Sequence, residues 1–375
     1  QKNNKLFLPR REFLKKAFLS TFFISQTKLL FGSSKKTLAK ELKTLNDRPY
    51  NAEALPHLLD DETTPSHRLF VRNNGVPPET CDLKSYRLQV DGELLQSRSF
   101  SLTELKSMFK TYSYDLVLEC GGNGRAGFQP KTPGLQWTYG AIGCPSWQGI
   151  RLKDLLNYLG LKSSASFVAY YGLDHHPSGL NKDVISRGFP LTKAMEDTTL
   201  LAFSLNGQAL PKEHGFPLRI ICPGYPGSAS GKWLKRLWIR DQVHDGEKMT
   251  GEAYKMPSSP SRPGDNEKRP MRIIEKMPVK SLITYPRSNT KLKYSAYKNG
   301  LEIRGFAWTG EKEIKACHLS FDFGQTWTQA SLQKAKNPYA WQRFHCKLKF
   351  PGPGYYEIFS RATDSQNKMQ PMVVP

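Results

Sequence analysis

The chain has 375 residues, of which 38% are hydrophobic and 11% aromatic; that excludes wholesale disorder and leaves room for two domains, each with its own core. Its formal charge of +22 favours anionic partners, whether small substrates, acidic proteins, nucleic acid or membrane surfaces. Zinc-finger, RNA-recognition and basic-zipper patterns do not occur in it, so nucleic acid is not the expected partner.

Residues 1–39 hold nine Lys/Arg against one acid, Glu12, so this stretch carries +8 and the rest 22 − 8 = +14. Arg10-Arg11 and Phe13-Leu14-Lys15-Lys16, followed by a moderately apolar run, form a twin-arginine export pattern. Ala39 offers a small residue at a plausible cleavage point. The expectation is a signal peptide over 1–39 and a periplasmic mature protein, with a basic amphipathic surface helix as the alternative. Ser, Thr, Gln and Lys interrupt the apolar run, so it is a poor membrane span, and no later segment is long and apolar enough to be one.

Residues 41–66 read as polar and irregular. "HRLFVRN" and "YRLQVDGEL" read as strands, and "SLTELKSMFK" as a short helix capped by Ser101 with Glu104 closing a capping box. "YSYDLVLEC" reads as one buried strand. "IRLKDLLNYLGL" reads as an amphipathic helix ending near Gly160. "ASFVAYYGLD", "TLLAFSLNG", "PLRIICPG" and "KRLWIRD" read as further strands, with "LTKAMED" a helical turn between two of them. The order is that of a mixed α+β domain, not a regular βαβ alternation. "KMPSSPSRPGDNEKRP" is rich in Pro, Ser and charge and reads as a connector. "GLEIRGFAWTG", "KACHLSFDFGQTWTQASL", "WQRFHCKLKF" and "GYYEIFSRATDS" then read as short strands at the spacing of an immunoglobulin-like β-sandwich. The expected organisation is a first domain over 60–254, a linker over 255–279 and a sandwich over 280–375.

The six cysteines, Cys81, Cys120, Cys144, Cys222, Cys317 and Cys346, form no CxxC or CxxCH, which excludes a standard zinc knuckle and a standard c-type haem attachment. Export would permit a Cys317–Cys346 disulfide, but unpaired core cysteines are the expectation. Cys120 stands apart. In "LVLECGGNGRAGFQP" an apolar run ends in Glu119-Cys120, then come Gly121, Gly122, Asn123, Gly124 and Arg125. A thiolate is a strong metal ligand, yet one cysteine alone cannot hold a metal. A cofactor bringing its own sulfur donors would complete the set, and the glycines would let backbone approach it closely. The other reading of this stretch is a buried strand-end cysteine before a glycine turn. "PGYPGSASGKW" offers backbone N–H and hydroxyl donors to a phosphate, with Lys232 as countercharge. It is not a P-loop, because GxxxxGK[ST] is absent.

The stretches "LFVRNNGVPPE", "LECGGNGRAGF", "GLQWTYGAIGCPSWQGIRLKDLL", "YGLDHHPSG", "ISRGFPLTKAM" and "LAFSLNGQALPKEHGFPLRIICPGYPGSASGKWLKRL" occur in this order. With them, residues 67 to about 370 resemble the molybdenum-dependent sulfite oxidase family in its bacterial periplasmic branch. The resemblance implies an α+β, molybdopterin-binding domain followed by an immunoglobulin-like dimerisation domain, possibly forming a homodimer. It implies molybdenum ligated by Cys120 beside the sulfurs of molybdopterin. Phe70, Val71, Arg72, Asn73 and Asn74 would contact the cofactor, Asp174 the pterin, His214 and Arg219 the pterin and its phosphate, and Ser230, Gly231 and Lys232 the phosphate side. Arg72, Arg125 and Arg187 would bind a small anionic substrate, sulfite, for oxidation to sulfate, with electrons passing to an external c-type cytochrome. The chain departs from the family pattern in two places. Ile185, Ser186 and Arg187 stand where a tyrosine is common, and no arginine follows in the C-terminal "KMQPMVVP". Both departures bear on the substrate, so a sulfane-sulfur dehydrogenase subunit or a sulfoxide reductase on the same fold stays open, as does a non-enzymatic polyanion-binding or adhesion protein.

Overall fold

The structure is a computed structural model that describes residues 41–259 and 269–372; the twin-arginine pattern lies outside the described residues. The stretch 41–66, expected to be irregular, instead opens with a hairpin, Leu42–Asp47 against Tyr50–Ala54. Its signal is hidden because Asn51 and Glu53 are buried along with Ala52 and Ala54, so no apolar alternation shows. Ala52 exchanges both backbone hydrogen bonds with Val71, and a Cβ on Gly140 would stand 1.7 Å from the Ala54 carbonyl oxygen. These contacts bring the first domain's start forward of residue 60. They also reduce "HRLFVRN" from the expected strand to a short turn of helix, Ser66–Arg68, and a single bridge at Val71.

Among the described residues, two five-stranded sheets form the body of that domain. One runs in the order Gly188–Pro190, Phe167–Gly172, Leu234–Arg240, Leu88–Gly92, Arg98–Phe100, with a single parallel pair between the third and fourth. The other runs Gln208–Ala209, Leu200–Leu205, Ser146–Arg151, Thr111–Asp115, with Arg219–Ile221 also paired to Leu200–Leu205. The helix Leu102–Met108 starts at Ser101, whose hydroxyl accepts from the Glu104 N–H while the Glu104 carboxylate accepts from the Ser101 N–H. The helix Leu152–Leu159 buries Leu152, Leu155, Leu156 and Leu159 and ends at Gly160, whose φ of 72° lies in the left-handed region. Both helices share one apolar core with Leu88, Val90, Ile150, Val168 and Leu237 of the two sheets.

The stretch "YSYDLVLEC" is two strands, not one. Thr111–Asp115 pairs with Ser146–Arg151, whereas Leu118–Glu119 pairs with Ile142–Gly143 in a separate ladder. Leu116 and Leu118 both lie in a second apolar cluster with Cys120, Trp137 and Trp147, while the partly buried Val117 between them packs on another cluster; an unbroken apolar run gives no periodic sign of the break.

The stretch 255–279 is not a bare connector, since Lys255–Pro257 pairs with Met271–Ile273. Beyond it, a four-stranded sheet (Lys280–Tyr285, Leu301–Trp308, Gln342–Leu348, Ser331–Leu332) faces a three-stranded one (Thr328–Gln329, Ile314–Ser320, Phe359–Asp364). The sandwich core holds Ile303, Leu319, Phe344 and Ala362, and Cys317 and Cys346 are free thiols. Phe306, Trp308 and Trp341 pack with Ala54, Ile142 and Cys144 of the first domain. Among the described residues no helix is long and apolar enough to cross a membrane.

Candidate active site

Cys120 follows the Leu118–Glu119 strand directly and is almost wholly buried. Its N–H donates to the Ala141 carbonyl at 2.9 Å, and the Gly122 N–H points at its Sγ at 3.4 Å. Burial pushes the Cys120 thiol up; the Arg72 charge, the Gly122 N–H and the Arg125 charge act in the opposite direction, toward the thiolate. A Cβ on Gly122 would meet the Arg125 guanidinium at 2.9 Å, so a side chain there would displace the end of Arg125.

Cys120 lines a cleft with about 710 Å³ of empty space, mouth included, together with Phe70, Arg72, Asn74, Asp174, His214, Arg219, Ser230, Gly231 and Lys232. Nine of the residues singled out in the sequence besides Cys120 therefore meet in one place, from segments as far apart as 70 and 232. Tyr170, Ile185, Ser228, Trp233 and Tyr254 also line it. Arg219 reaches the His214 carbonyl at 2.9 Å and the Ser230 carbonyl at 3.0 Å, and stacks on Trp147 at 4.9 Å. Burial lowers Arg219 to about 9. Lys232 donates to the Glu213 carbonyl at 2.8 Å and to Asn73 Oδ1, and burial followed by the Arg219 charge lowers it well below the usual lysine range. His214, held at about 3 by burial, Lys232 and Arg219, stays neutral.

Four of the singled-out residues are not on the cleft wall. Val71 is engaged by Ala52. Asn73 is buried, donating from Nδ2 to the Tyr50 carbonyl at 3.0 Å and to Glu213 at 2.9 Å, so it braces Lys232. Arg125 donates to the Leu135 carbonyl at 3.2 Å, behind the Cys120 loop. Arg187 is buried, donates to the Lys248 carbonyl at 2.8 Å and lies 4.6 Å from the centre of the Tyr254 ring. It therefore backs the wall that Tyr254 forms.

Neither Tyr254 nor Lys248 carries a local signal: "EAYKMP" borders a stretch that reads as connector, and Lys248 lies in the polar "DGEKMTG" just before it. Tyr254 has φ 55°, rare for a bulky residue, and its hydroxyl lies within 3.2–3.3 Å of the Asn74 amide. Asn74 Oδ1 also accepts from Arg72 Nη2 and Lys248 Nζ, each at 2.9 Å. Two cations and a phenol thus converge on one neutral oxygen.

Behind Arg187, Ser186 donates to the Tyr170 carbonyl at 2.8 Å and lies 2.7 Å from His244 Nε2, while Arg240 donates to His244 Nδ1 at 3.0 Å. This fixes a neutral His244 with its proton on Nε2. Burial and Arg240 hold it at about 4, below the ordinary 6.5. A histidine with a depressed folded value contributes stability that is present above its unfolded value and lost as pH falls toward the folded one. Between the ordinary 6.5 and pH 5 this amounts to about 2 kcal/mol. His244→Gln, which keeps a donor for Ser186, is expected to flatten the fall in stability between pH 7 and pH 5, read from denaturation midpoints. An unchanged pH slope would contradict this.

The cleft fits a phosphate-bearing cofactor on its own chemistry. Among the described residues, Arg72, Arg219 and Lys232 line it against one lining carboxylate, Asp174, and the buried Ser228 hydroxyl has no hydrogen-bond partner. A buried excess of cations with an orphaned donor calls for an anion. Arg219, Lys232, Ser228 and Ser230 would hold a phosphate, Asp174 a pterin N–H, and Cys120 a metal.

Comparisons with known proteins agree with that fit. A family described as the oxidoreductase molybdopterin binding domain matches residues 73–248, and one described as the Mo-co oxidoreductase dimerisation domain matches residues 271–374. The chain is 32% identical to a sulfite oxidase of Gallus gallus over 342 residues, covering 88% of this chain and 73% of that one. It is 33% identical to a mitochondrial sulfite oxidase of Homo sapiens over 348 residues, covering 89% of this chain and spanning 62% of that protein's length. Among solved structures, the sulfane dehydrogenase SoxCD from Paracoccus pantotrophus superposes with a TM-score of 0.73 at 28% identity, over 87% of this chain and 79% of that one.

Proposed function

Because the chain belongs to the sulfite oxidase family of molybdopterin oxidoreductases, we propose that it oxidises sulfite to sulfate at the Cys120 end of the cleft. In balance, sulfite and water give sulfate, two protons and two electrons. Molybdopterin-bound molybdenum, when present, supplies the two-electron redox chemistry. The residues of the chain supply position and charge. The observation that carries the reading is the set of donors on Asn74 Oδ1: Arg72, Lys248 and Tyr254 are already arranged around one oxygen, as an oxyanion would require. Arg187, stacked on Tyr254, adds a fixed positive charge behind them.

The electrons pass to a separate c-type cytochrome, and the enzyme works in the periplasm as a homodimer. The Arg10-Arg11 export pattern and the lack of CxxCH in these 375 residues support the first two points, and the matched dimerisation domain supports the third. A second reading takes a sulfane sulfur as substrate. Ile185 and Phe70 give the cleft apolar wall, and the solved neighbour is a sulfane dehydrogenase.

Steady-state oxidation of sulfite and of thiosulfate, with cytochrome c as acceptor at fixed ionic strength, separates the two. Sulfite turnover is expected, with Lys248→Met and Tyr254→Phe each raising KM more than they lower kcat. Loss of one hydrogen bond involving a charged group is worth roughly 1.5–3 kcal/mol, or about ten- to a hundredfold, at Lys248; the neutral Tyr254 donor is worth less. Thiosulfate turnover without sulfite turnover would replace the first reading with the second.

A further inference from the structure

Next to Cys120 stands a carboxylate that the cleft does not use. Glu119 is 2% exposed, and a carboxylate that deep needs partners. Oε1 accepts from Asn123 Nδ2 at 3.0 Å and from Lys280 Nζ at 2.7 Å, and Oε2 accepts from Trp308 Nε1 at 2.9 Å. Lys280 and Trp308 belong to the second domain, where they stand directly opposite each other in an antiparallel pair. One cross-strand pair of the sandwich therefore grips the residue before the metal-binding cysteine.

The grip continues to Cys120 itself. The Asn123 N–H donates to the Cys120 carbonyl at 2.9 Å, Asn123 Oδ1 accepts from the Ala141 N–H at 3.1 Å, and the Cys120 N–H donates to the Ala141 carbonyl. Glu119, Asn123 and Ala141 thus hold the peptide groups on both sides of Cys120, and the Glu119 end of this ring is anchored outside the first domain.

We propose that Glu119 is a positioning residue through which Lys280 and Trp308 of the second domain set the geometry of Cys120 at the metal. The second domain is then part of the frame of the redox centre as well as a dimerisation module. The proposal rests on the reading that Cys120 ligates the metal.

A purely mechanical role would be to hold the domains together, and a separate contact already does that. Asp60 accepts from Thr284 at 2.6 Å, from Arg304 at 2.7 Å and from Arg343 at 3.1 Å, all in the second domain. Asp60→Asn is therefore the control. Two quantities are compared in the full chain: the EPR spectrum of the half-reduced metal in holoenzyme at equal molybdenum content, and deuterium exchange of amides 118–124 in cofactor-free protein. Lys280→Met and Trp308→Phe are expected to shift the EPR g-values and to speed exchange at 118–124 by tenfold or more. Lys280→Arg should restore both, and Asp60→Asn should leave both as in wild type. Equal effects of Asp60→Asn and Lys280→Met would overturn the proposal. So would wild-type spectra and exchange in Lys280→Met and Trp308→Phe while Cys120→Ser alters the spectrum. A Cys120→Ser spectrum identical to wild type would overturn the ligand reading, and the proposal with it.

Discussion

Cys120→Ser is expected to fold as wild type and to lose turnover by more than about a hundredfold, since even groups that only orient a metal ligand cost 10–100-fold when changed. The exchange of sulfur for oxygen is small in volume, and the site is built by backbone. The hydrogen bonds of the Cys120 peptide groups to Ala141 and Asn123, and the one between Asn123 and Ala141, do not involve the sulfur, so the loop keeps its shape. What changes is the proposed metal ligand: a serine hydroxyl is harder and far less acidic than a thiol, and neither Arg72 nor the Gly122 N–H can compensate for that. Circular dichroism and molybdenum content report the fold and the loading, and sulfite turnover reports the chemistry. Wild-type turnover with molybdenum bound would show that Cys120 is not the ligand.

The second large effect is expected at Lys232. Lys232→Met should cut cofactor retention by about ten- to a hundredfold, the worth of one charge-assisted hydrogen bond to a phosphate, while leaving the cofactor-free protein within about 1 kcal/mol of wild type. The sign follows from linkage. Burial and Arg219 hold the folded Lys232 well below its ordinary 10.5, so below that ordinary value the group costs the cofactor-free fold stability, and that cost falls as pH rises toward it. Methionine removes the cost but leaves Asn73 Oδ1 and the Glu213 carbonyl without their donor, and the two changes oppose each other. Pterin and molybdenum content after gel filtration, with denaturation midpoints of both forms, check this. Full loading in Lys232→Met would move the phosphate away from this residue.

How much of this could be read in the sequence depended on where the signal was local. The capping box at Ser101 and Glu104 and the Gly160 stop are local, and both occur where the residues indicate. The cysteine, the glycines after it and the "HGFPLR" and "SGK" stretches lie within ordered motifs, and those motifs converge on one cleft. What stayed hidden depends on contacts between distant segments. The Tyr50–Ala54 strand is buried by Val71 and Gly140 and shows no alternation of its own. Its neighbourhood in sequence places Arg187 among the anion-binding groups, whereas the fold puts Tyr254, from the edge of an apparent linker, between it and the cleft. Glu119, beside the most conspicuous residue in the chain, has its second-domain partners 161 and 189 positions away, beyond any local pattern.

The most direct test of the account is a single turnover. Purified enzyme, assayed for molybdenum, is mixed anaerobically with excess sulfite and no acceptor, and sulfate is measured. The account predicts about one molybdenum per chain and one sulfate formed per molybdenum, with both lost in Cys120→Ser or with the sulfate alone lost there. Fully loaded wild-type enzyme that forms no sulfate would contradict it.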